Sequence, residues 1–386
     1  MNIVLKDINE DLKKEAISLR RHFHANPELS GEEWETCKFI KQYLVDLNFE
    51  ILPYNEPNII AKMKGNGDGP TIAFRADIDA LPIEEENDLT YKSNRKNISH
   101  MCGHDGHMAI LLTVAKWCAE NKEKIKPNIL FIFQSSEEMA PSGAENLVTQ
   151  GIIKEMDVLF GLHIWQPIEK GKIGINSGNV MASVDDFCIE INGVGGHGAM
   201  PQEAVDPIYI ASHIIGAVHS INSRIVDPLE AAVITIGKLD AGTSYNIIPS
   251  KVRLYGSIRS LNEQTRQRIK HELKNMIPNI CSAFQANGNI DIFSGLPALV
   301  NDVEITNKVK EIVQRNLPNL DIIEPRPYMA SDDFSFYADK VKSCYLFVGM
   351  QGEISQFPHH HPKFQVDDSV LEIGISTFIK IIQNYY

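Results

Sequence analysis

The first half of the chain alternates between hydrophobic patterns typical of helices and of strands. From about Lys6 to His24, and again from Glu32 to Leu47, apolar residues recur three and four positions apart, which predicts two amphipathic helices. Short apolar runs predict strands at residues 59–63, 71–77, 128–134 and 158–164, with a helix near 105–121. Strands separated by helices are typical of a doubly wound α/β domain, whose functional sites lie at the carboxyl ends of the strands.

The pattern changes near Ser183, where a half-exposed strand replaces the buried ones. The following elements are predicted in the order β-α-β-β-α-β, at residues 185–193, 205–223, 231–239, 251–259, 262–285 and 289–293. This order predicts a small ferredoxin-like α+β domain at 183–297, inserted into the larger domain like a lid. The catalytic domain would then comprise 1–182 and 298–386, and end in a helix at 368–383.

Composition and charge exclude several classes of partner. The 386 residues are 43% hydrophobic and 23% charged, which suits a two-domain globular protein. A net charge of −13 argues against nucleic acid and anionic membranes as partners. The N-terminal residues do not form a secretory signal, and no apolar run reaches the roughly 18 residues of a membrane span. We therefore expect a cytoplasmic protein without a membrane partner.

Cysteine usage agrees with a reducing compartment. The six cysteines show no framework spacing, so disulfides are not expected. Cys102 has polar neighbours, whereas the other five lie among apolar residues and are interpreted as core thiols: Cys37, Cys118, Cys188, Cys281 and Cys344.

The stretch H-M-C-G-H-D-G-H at 100–107 concentrates groups that can bind metal, carry out redox chemistry or simply pack. A C-x-x-C redox pair is absent. Gly103 lets the backbone turn so that Cys102 and His104 converge, and the predicted helix N-terminus there favours a thiolate. Metal binding becomes the preferred interpretation if other potential ligands lie close to Cys102 and His104.

Further candidate ligands follow other predicted strands. Glu137 and Glu138 come after the strand at 128–134, and His163 ends the strand at 158–164. Three consecutive histidines, His359, His360 and His361, precede a proline near the C-terminus. Each signal alone has an ordinary structural explanation, but together they supply enough thiol, imidazole and carboxylate groups for two metal ions.

Other polar residues could support such a site. Asp77 and Asp79 lie two positions apart at the end of a strand, either as a turn before a proline or as carboxylates that orient a ligating imidazole. Asp105 and His107, within the 100–107 stretch, are placed with Asp77 among the side chains that support the ligands.

The inserted domain contributes three candidates. His197 lies in a glycine-rich loop from which it could stabilise an oxyanion. Asn246 and Arg259 follow or end predicted strands, and an arginine can hold a substrate carboxylate through two parallel hydrogen bonds.

The chain resembles, over nearly its whole length, the aminoacylase-like metalloamidohydrolases. The nearest branch contains hippurate hydrolases, bacterial N-acyl-amino-acid deacylases and plant auxin-conjugate hydrolases. The resemblance is carried by R-R-H-F-H-A-N-P-E-L-S (20–30), R-A-D-I-D-A-L-P (75–82), H-M-C-G-H-D-G-H (100–107), F-Q-S-S-E-E (133–138), G-L-H (161–163), G-G-H-G-A-M-P (195–201), N-I-I-P (246–249), A-S-D-D-F (330–334) and H-H-P-K-F (360–364).

The resemblance implies two divalent metal ions per subunit, with zinc, manganese, nickel and cobalt all compatible with the donors. The implied ligands are Cys102, His104, Glu138, His163 and His360. His360 is preferred within its run because the family's ligand stands two positions before the proline. Glu137 would be the general base, and Asp79 the carboxylate that orients a ligand. Cys102 replaces an aspartate that bridges the metals in sister branches, so the thiolate is a candidate bridge.

These assignments predict hydrolysis of the amide bond of N-acyl-L-amino acids by a homodimer, or higher homo-oligomer, assembled through the insert. His197 would stabilise the oxyanion, while Asn246 and Arg259 would hold the substrate carboxylate. Three alternatives stay open. The same mechanism could act on N-acetyl-diaminopimelate, an N-carbamoyl compound or a dipeptide, the chain could be a non-catalytic metal-dependent binding protein, or Cys102 could serve a redox or metal sensor.

Overall fold

The computed structural model describes residues 8–386, so the start of the first predicted helix, at Lys6, lies outside the described residues. The helices are α1 (Glu10–Ala25), α2 (Trp34–Asp46), α3 (His104–Glu120), α4 (Gly143–Thr149), α5 (Pro207–Arg224), α6 (Glu263–Ala283), α7 (Val303–Asn316), α8 (Ser335–Ala338) and α9 (Leu371–Asn384). Short 3-10 helices lie at Lys122–Lys124, Ile152–Glu155, Pro201–Glu203 and Asp368–Val370.

The strands follow the predicted runs closely, with several short additions. They are β1 (Glu50–Ile51), β2 (Ile59–Met63), β3 (Thr71–Asp77), β4 (Asn128–Gln134), β5 (Val158–Glu169), β6 (Lys172–Gly174), β7 (Gly178–Met181), β8 (Ser183–Asn192), β9 (Gly196–His197), β10 (Ala232–Ala241), β11 (Ile247–Ile248), β12 (Lys251–Ser260), β13 (Asn287–Ser294), β14 (Leu299–Asn301), β15 (Asp321–Ile323) and β16 (Ser343–Gln351). Within the described chain, no helix is both long enough and apolar enough to span a bilayer.

The described chain divides into two compact units. The first comprises 8–178, Val300–Arg326 and Phe336–Tyr386, and the second comprises Asn179–Leu299 and Pro327–Ser335. The boundaries at 178/179 and 299/300 lie within a few residues of the positions, 182/183 and 297/298, at which the hydrophobic pattern changes. The segment 327–335 differs, because it was expected in the catalytic domain and instead packs with the second unit.

Backbone hydrogen bonds explain the position of this segment. The N–H of Tyr328 donates to the carbonyl of Val180 at 3.0 Å, and the N–H of Ala182 donates to the carbonyls of Tyr328 and Ala330. These bonds join residues about 150 positions apart in the chain, so no local hydrophobic pattern could reveal them.

The first unit is built on an eight-stranded sheet, counted over residues 8–386. The strand order is β1-β2-β4-β3-β5-β16-β6-β15. The central strands β4, β3, β5 and β16 are parallel, whereas β1, β2 and the β16–β6 pair are antiparallel. The fold is therefore α/β, as predicted, with a mixed sheet whose parallel centre places four carboxyl ends along one edge.

Helix α3 forms the centre of the first unit's core. Almost every position from His104 to Cys118 is buried, as expected for a helix that is apolar nearly all round. It packs against α1, α9 and β3. The N-terminus of α3 is consequently fixed against the sheet, and the residues that precede it are held there too.

The second unit has the ferredoxin-like arrangement predicted for the insert. Its antiparallel sheet has the order β10-β12-β8-β13, and α5 and α6 pack on it. Phe187, Ile189 and Ile191 of β8 are buried beneath these helices, and the intervening residues face away. Cys188 is one of these outward residues and is partly exposed, so the interpretation of it as a core thiol is wrong.

Candidate metal centre and active site

The carboxyl ends of the parallel strands bring the first site residues together. In the β3–β4 register, Asp77 lies opposite Gln134, and Glu137 and Glu138 follow within four residues. Strand β5 pairs with the other side of β3 and carries His163. Functional sites lie at such ends in open α/β sheets.

The turn before α3 adds a thiol and a second imidazole. Gly103 has a φ of 99°, in the left-handed region that glycine adopts without steric cost, and it joins Cys102 to His104. The sulfur of Cys102 lies 3.6 Å from Nε2 of His163. The donor atoms of Cys102, His104 and His163 all lie within 4.8 Å of one another. They form the first group of three potential ligands.

A second group shares the same sulfur. Cys102, Glu138 and His360 also offer donor atoms within 4.8 Å of one another. Nε2 of His360 lies 3.2 Å from Oε1 of Glu138, and Nε2 of His104 lies 3.9 Å from the same oxygen. We call Cys102, His104, Glu138, His163 and His360 the ligand cluster. Its two groups have the Cys102 sulfur in common.

The three consecutive histidines point in different directions. His359 is largely buried and donates from Nε2 to the carbonyl of Ile164 at 3.0 Å. His361 accepts the N–H of Lys363 at Nδ1 and stacks on Phe357. His360 has a φ of 65° and brings its Nε2 to Glu138. Of the three, His360 is the one placed in the ligand cluster.

Asp79 holds two members of the ligand cluster in place. Its Oδ1 lies 3.2 Å from Nδ1 of His104, which also contacts the Asp79 carbonyl at 2.9 Å. Its Oδ2 accepts the N–H of Glu138 at 2.9 Å and the hydroxyl of Ser30 at 2.6 Å. Nδ1 of His104 therefore carries the proton, and Nε2 is directed into the cluster.

Asp77 and His107 form a supporting pair beside the cluster. His107 accepts the N–H of Ile164 at Nε2 and donates from Nδ1 to Asp77 at 2.6 Å. The other Asp77 oxygen accepts from Arg75 at 2.7 Å. Burial would raise the Asp77 pKa, but His104, His107 and Arg75 hold it well below its usual value. Both His107 nitrogens are thus used, and the pair supports the backbone next to His163.

Asp105 differs from its predicted position. It accepts from Nη1 of Arg20 at 3.2 Å and from Nδ1 of His24 at 2.9 Å, and it contacts no member of the ligand cluster. The other His24 nitrogen lies 3.1 Å from Glu85. Consecutive helix residues point about 100° apart, so Asp105 leaves α3 on a different face from His104. The expectation that Asp105 supports a ligand is wrong.

We call Arg20, His24, Glu85 and Asp105 the anchor network. Sequence reasoning assigned no role to Arg20, His24 or Glu85, although the R-R-H-F-H motif contains the first two. Arg20 and His24 lie four residues apart on α1 and therefore share one face of the helix. This spacing was the sign in the sequence that the two residues could act together.

The electrostatics of the ligand cluster favour cations. Burial, followed by the charges of Glu138, Glu137 and Asp77, raises the pKa of the Cys102 thiol well above its usual value. These effects oppose the thiolate form that the helix N-terminus and a bound metal ion would favour. Burial lowers the His104 pKa, but Asp77 and Asp79 outweigh it and raise it to about 10. A nearby positive charge would relieve this excess of acidic groups.

The donors fit divalent metal ions. Within residues 8–386, Nε2 of His104 and Oε1 of Glu138 are buried without a hydrogen bond, and Oε1 has only ion-pair contacts to the imidazoles of His360 and His104. A tetrahedral ion bound by sulfur and imidazole separates those atoms by about 3.5 Å, close to the 3.6 Å between Cys102 and His163. Thiol, imidazole and carboxylate together suit several first-row metals.

The second unit brings two of its three candidates together. Strands β9 and β11 form a short ladder in which His197 lies opposite Ile247. The N–H of Gly198 donates to the carbonyl of Asn246 at 2.9 Å, so His197 and Asn246 are close neighbours. This ladder was not predicted, because each strand has two residues. Arg259, on β12, donates to the carbonyl of Met329 at 2.8 Å.

Comparison with known proteins identifies the family. The model of peptidase family M20/M25/M40 matches residues 73–384. The chain belongs to this family. The M20 match includes the β3, α3, β4 and β5 ends that carry most of the ligand cluster, and the resemblance to aminoacylase-like amidohydrolases is confirmed.

Three M20-related proteins show the extent of the similarity. An N-acetyl-L-cysteine deacetylase of Bacillus subtilis is 39% identical over 361 residues, covering 93% of this chain and 85% of the relative. An N-acyl-L-amino acid amidohydrolase of Geobacillus stearothermophilus is 38% identical over 298 residues, covering 77% and 80%. The crystal structure of a B. subtilis dinuclear metal-binding M20 peptidase has a TM-score of 0.85, with 31% identity and coverage of 97% and 98%.

Proposed function

We propose that this protein is a metal-dependent amidohydrolase that cleaves N-acyl-L-amino acids into a carboxylate and a free amino acid. The observation that carries the proposal is the pair of ligand groups that share the Cys102 sulfur, with Glu137 beside them. Relatives that match most of the chain are an N-acetyl-L-cysteine deacetylase and an N-acyl-L-amino acid amidohydrolase, which supports this substrate class.

The ligand cluster would hold two divalent metal ions. Cys102, His104 and His163 form one set, and Cys102, Glu138 and His360 form the other. Dinuclear metal binding by an M20 structural relative supports this number. Metal ions bound there would polarise the amide carbonyl and lower the pKa of water towards about 7. Asp79 keeps Nε2 of His104 available by bonding its Nδ1.

Glu137 would move the proton. Its carboxylate lies within 4.8 Å of the donor atoms of His104 and Glu138. Glu137 accepts a proton as the water oxygen adds to the acyl carbon, and it delivers that proton to the nitrogen as the C–N bond breaks. General acid–base catalysis by one positioned group is worth about 10²–10⁴-fold in rate.

Residues of the second unit would recognise the substrate. Arg259 offers a guanidinium for the amino-acid carboxylate, Asn246 offers an amide, and His197 would stabilise the oxyanion. Ala199 donates its N–H to Nδ1 of His197 at 3.0 Å, which orients the ring with Nε2 outward. We further propose a homodimer through the second unit, which light scattering of the purified protein tests.

The test is release of free amino acid from a panel of amides. The panel contains N-acetyl, N-benzoyl, indole-acetyl and N-carbamoyl amino acids, N-acetyl-diaminopimelate and dipeptides. We expect the metal-loaded protein to hydrolyse N-acyl amino acids, and the metal-stripped protein to lose this activity until metal is returned. Glu137→Gln should lower kcat by about 10²–10⁴-fold while both metal ions stay bound.

Glu145→Gln is the matched control, since Glu145 is an exposed glutamate on α4. It should keep wild-type kcat. Hydrolysis of N-carbamoyl compounds or dipeptides alone would keep the mechanism and change the substrate class. A metal-loaded protein that cleaves no member of the panel would contradict the proposed function and favour a binding protein. Reversible oxidation of Cys102 without hydrolysis would favour a sensor.

A further inference from the structure

The backbone just before Glu137 adopts a conformation that non-glycine residues rarely take. Ser136 has a φ of 52°, in the left-handed region. Such a residue costs free energy and persists when surrounding contacts hold it. The position matters because a change at Ser136 would re-aim the next side chain, which is Glu137.

A buried carboxylate from a distant part of the chain holds this residue. The N–H of Ser136 donates to Oε1 of Glu33 at 2.8 Å, across 103 positions in the sequence. Glu33 is 0% exposed. A carboxylate buried this completely needs strong partners to offset its desolvation, and the turn supplies one.

The use of Glu33 at this turn is unusual for its place in the fold. Glu33 occupies the N-cap position of α2, where a side chain normally accepts an N–H of the first helical turn, yet its side chain makes no such bond. Glu28 does this instead, because its Oε2 accepts the N–H of Thr36 at 2.8 Å. With Glu28 capping the helix, the carboxylate of Glu33 bonds Ser136.

Two other side chains hold the residues around Ser136. Asn58 accepts the N–H of Ser135 at 2.9 Å, and Asp79 accepts the N–H of Glu138 at 2.9 Å. The backbone is therefore fixed on both sides of Glu137. Asp79 also bonds His104, so its removal would disturb the ligand cluster, whereas Glu33 makes no hydrogen bond to a member of that cluster among the described residues.

We infer that Glu33 is a positioning residue that aims the Glu137 carboxylate by fixing the Ser136 backbone. The inference rests on the proposed function, because it assumes that Glu137 moves the proton. Aligned proton transfer is sensitive to displacement, and a shift of about 1 Å can cost about 10²-fold in rate. Loss of the Glu33 contact should therefore lower kcat and leave substrate binding in place.

The charge of Glu33 is not what the turn requires. Burial and the neighbouring Asp79 raise the pKa of Glu33 to about 7, so a substantial fraction is neutral near neutral pH. An amide oxygen can accept the same N–H. Glu33→Gln should consequently keep the contact, whereas Glu33→Ala removes it and Glu33→Asp draws the carboxylate back by one methylene group.

The experiment compares Glu33→Ala, Glu33→Asp and Glu33→Gln with the control Glu28→Ala. Glu28 is also a buried glutamate beside α2, but it bonds Thr36 and Arg95 rather than the turn. Each protein is assayed for kcat and KM, for bound metal, and for amide hydrogen exchange of peptides covering 133–138. Glu33→Asp keeps a carboxyl group and most of the side-chain volume, so it replaces Glu33→Ala in the comparison if that variant does not fold.

We expect Glu33→Ala to lower kcat about 100-fold with little change in KM, to keep its metal, and to exchange quickly at 135–138. Glu33→Asp should also lower kcat and speed exchange at 135–138, whereas Glu33→Gln should stay close to wild type in both quantities. Glu28→Ala should lose stability, yet keep kcat and slow exchange at the turn.

The inference is overturned if Glu33→Ala or Glu33→Asp keeps wild-type exchange and kcat. It is equally overturned if Glu28→Ala reproduces the loss of kcat, since the effect would then be general destabilisation. Failure of the proposed function looks different, because the wild type would then hydrolyse no member of the panel. The exchange data would still show whether Glu33 holds the Ser136 backbone.

Discussion

Two buried clusters begin at the first turn of α3, one through His104 and the other through Asp105. Both combine imidazoles with carboxylates, and both lie out of contact with solvent for the most part. In the anchor network, Asp105 is paired with Arg20 and with His24, whose other nitrogen contacts Glu85. In the ligand cluster, acidic groups surround the Cys102 thiol and raise its pKa. Among the described residues each cluster has two buried atoms without a hydrogen-bond partner, Nη2 of Arg20 and Oδ1 of Asp105 in one, Nε2 of His104 and Oε1 of Glu138 in the other.

The comparison teaches how to separate a structural cluster from a metal centre of the same residue types. A buried carboxylate needs a compensating charge. Where the protein supplies that charge through a guanidinium, as Arg20 does for Asp105, the buried carboxylate is compensated within the protein itself. Where acidic and soft donors converge and no guanidinium pairs with them, the composition calls for cations from solution.

The largest effect should follow from removing the sulfur that both ligand groups share. Cys102→Ser should reduce bound metal below two ions per chain and lower kcat/KM by more than about 100-fold, beyond what loss of a supporting partner typically costs. Elemental analysis and the amide assay measure this. Cys188→Ser, a partly exposed cysteine of the second unit, should change neither quantity. Full metal content and activity in Cys102→Ser would remove Cys102 from the ligand cluster.

The anchor network should respond in stability rather than in metal content. Asp105→Asn removes the carboxylate shared by Arg20 and His24, which keep only Asp368 and Glu85, respectively, as charged partners. Breaking a buried ion pair typically costs about 3–5 kcal/mol. Denaturant unfolding should show this loss while both metal ions stay bound. Asp88→Asn changes an exposed aspartate and should lie within about 0.5 kcal/mol of wild type. Loss of metal without loss of stability would mean that Asp105 belongs with the ligands after all.

The smallest expected effect is a dependence of stability on pH that comes from His24. Burial opposes its protonation, but Asp105 and Glu85 outweigh burial and raise its pKa to about 9. An unfolded histidine titrates near about 6.5. The stabilisation is therefore complete below about pH 6.5 and is lost as the pH rises through about 9.

The measurement is the free energy of unfolding between these pH values for wild type and His24→Gln, both without metal. Wild type should lose stability with rising pH, and the difference between the two proteins should shrink. A difference that stays constant across this range would show that His24 is not protonated in the folded protein.

Much of the fold could be predicted because the hydrophobic patterns are local. The runs at 59–63, 71–77 and 128–134 are strands with the predicted ends, and the ferredoxin-like order of the second unit follows from alternation along each strand. Residues at strand ends could be assembled into one candidate site because parallel strands align their carboxyl ends.

The parts that could not be predicted depend on contacts between distant residues or on the direction of a single side chain. Asp105 follows His104 in sequence, and only the helix geometry separates their faces. Glu33 lies at the N-cap position of α2, and its bond to Ser136 could not be predicted because the two residues are 103 positions apart in the sequence. The segment 327–335 joins the second unit through backbone bonds that carry no sequence signature.

The ion pair between Arg20 and Asp368 spans 348 positions and has a consequence for protein synthesis. Helix α1 is translated early, but the pair cannot form until residue 368 has been added. Ribosomes add about 5–20 residues per second, so the delay is on the order of 20–70 seconds. During that interval Arg20 has Asp105 within reach but lacks Asp368, so the ion pairs of this buried guanidinium are completed only late in translation.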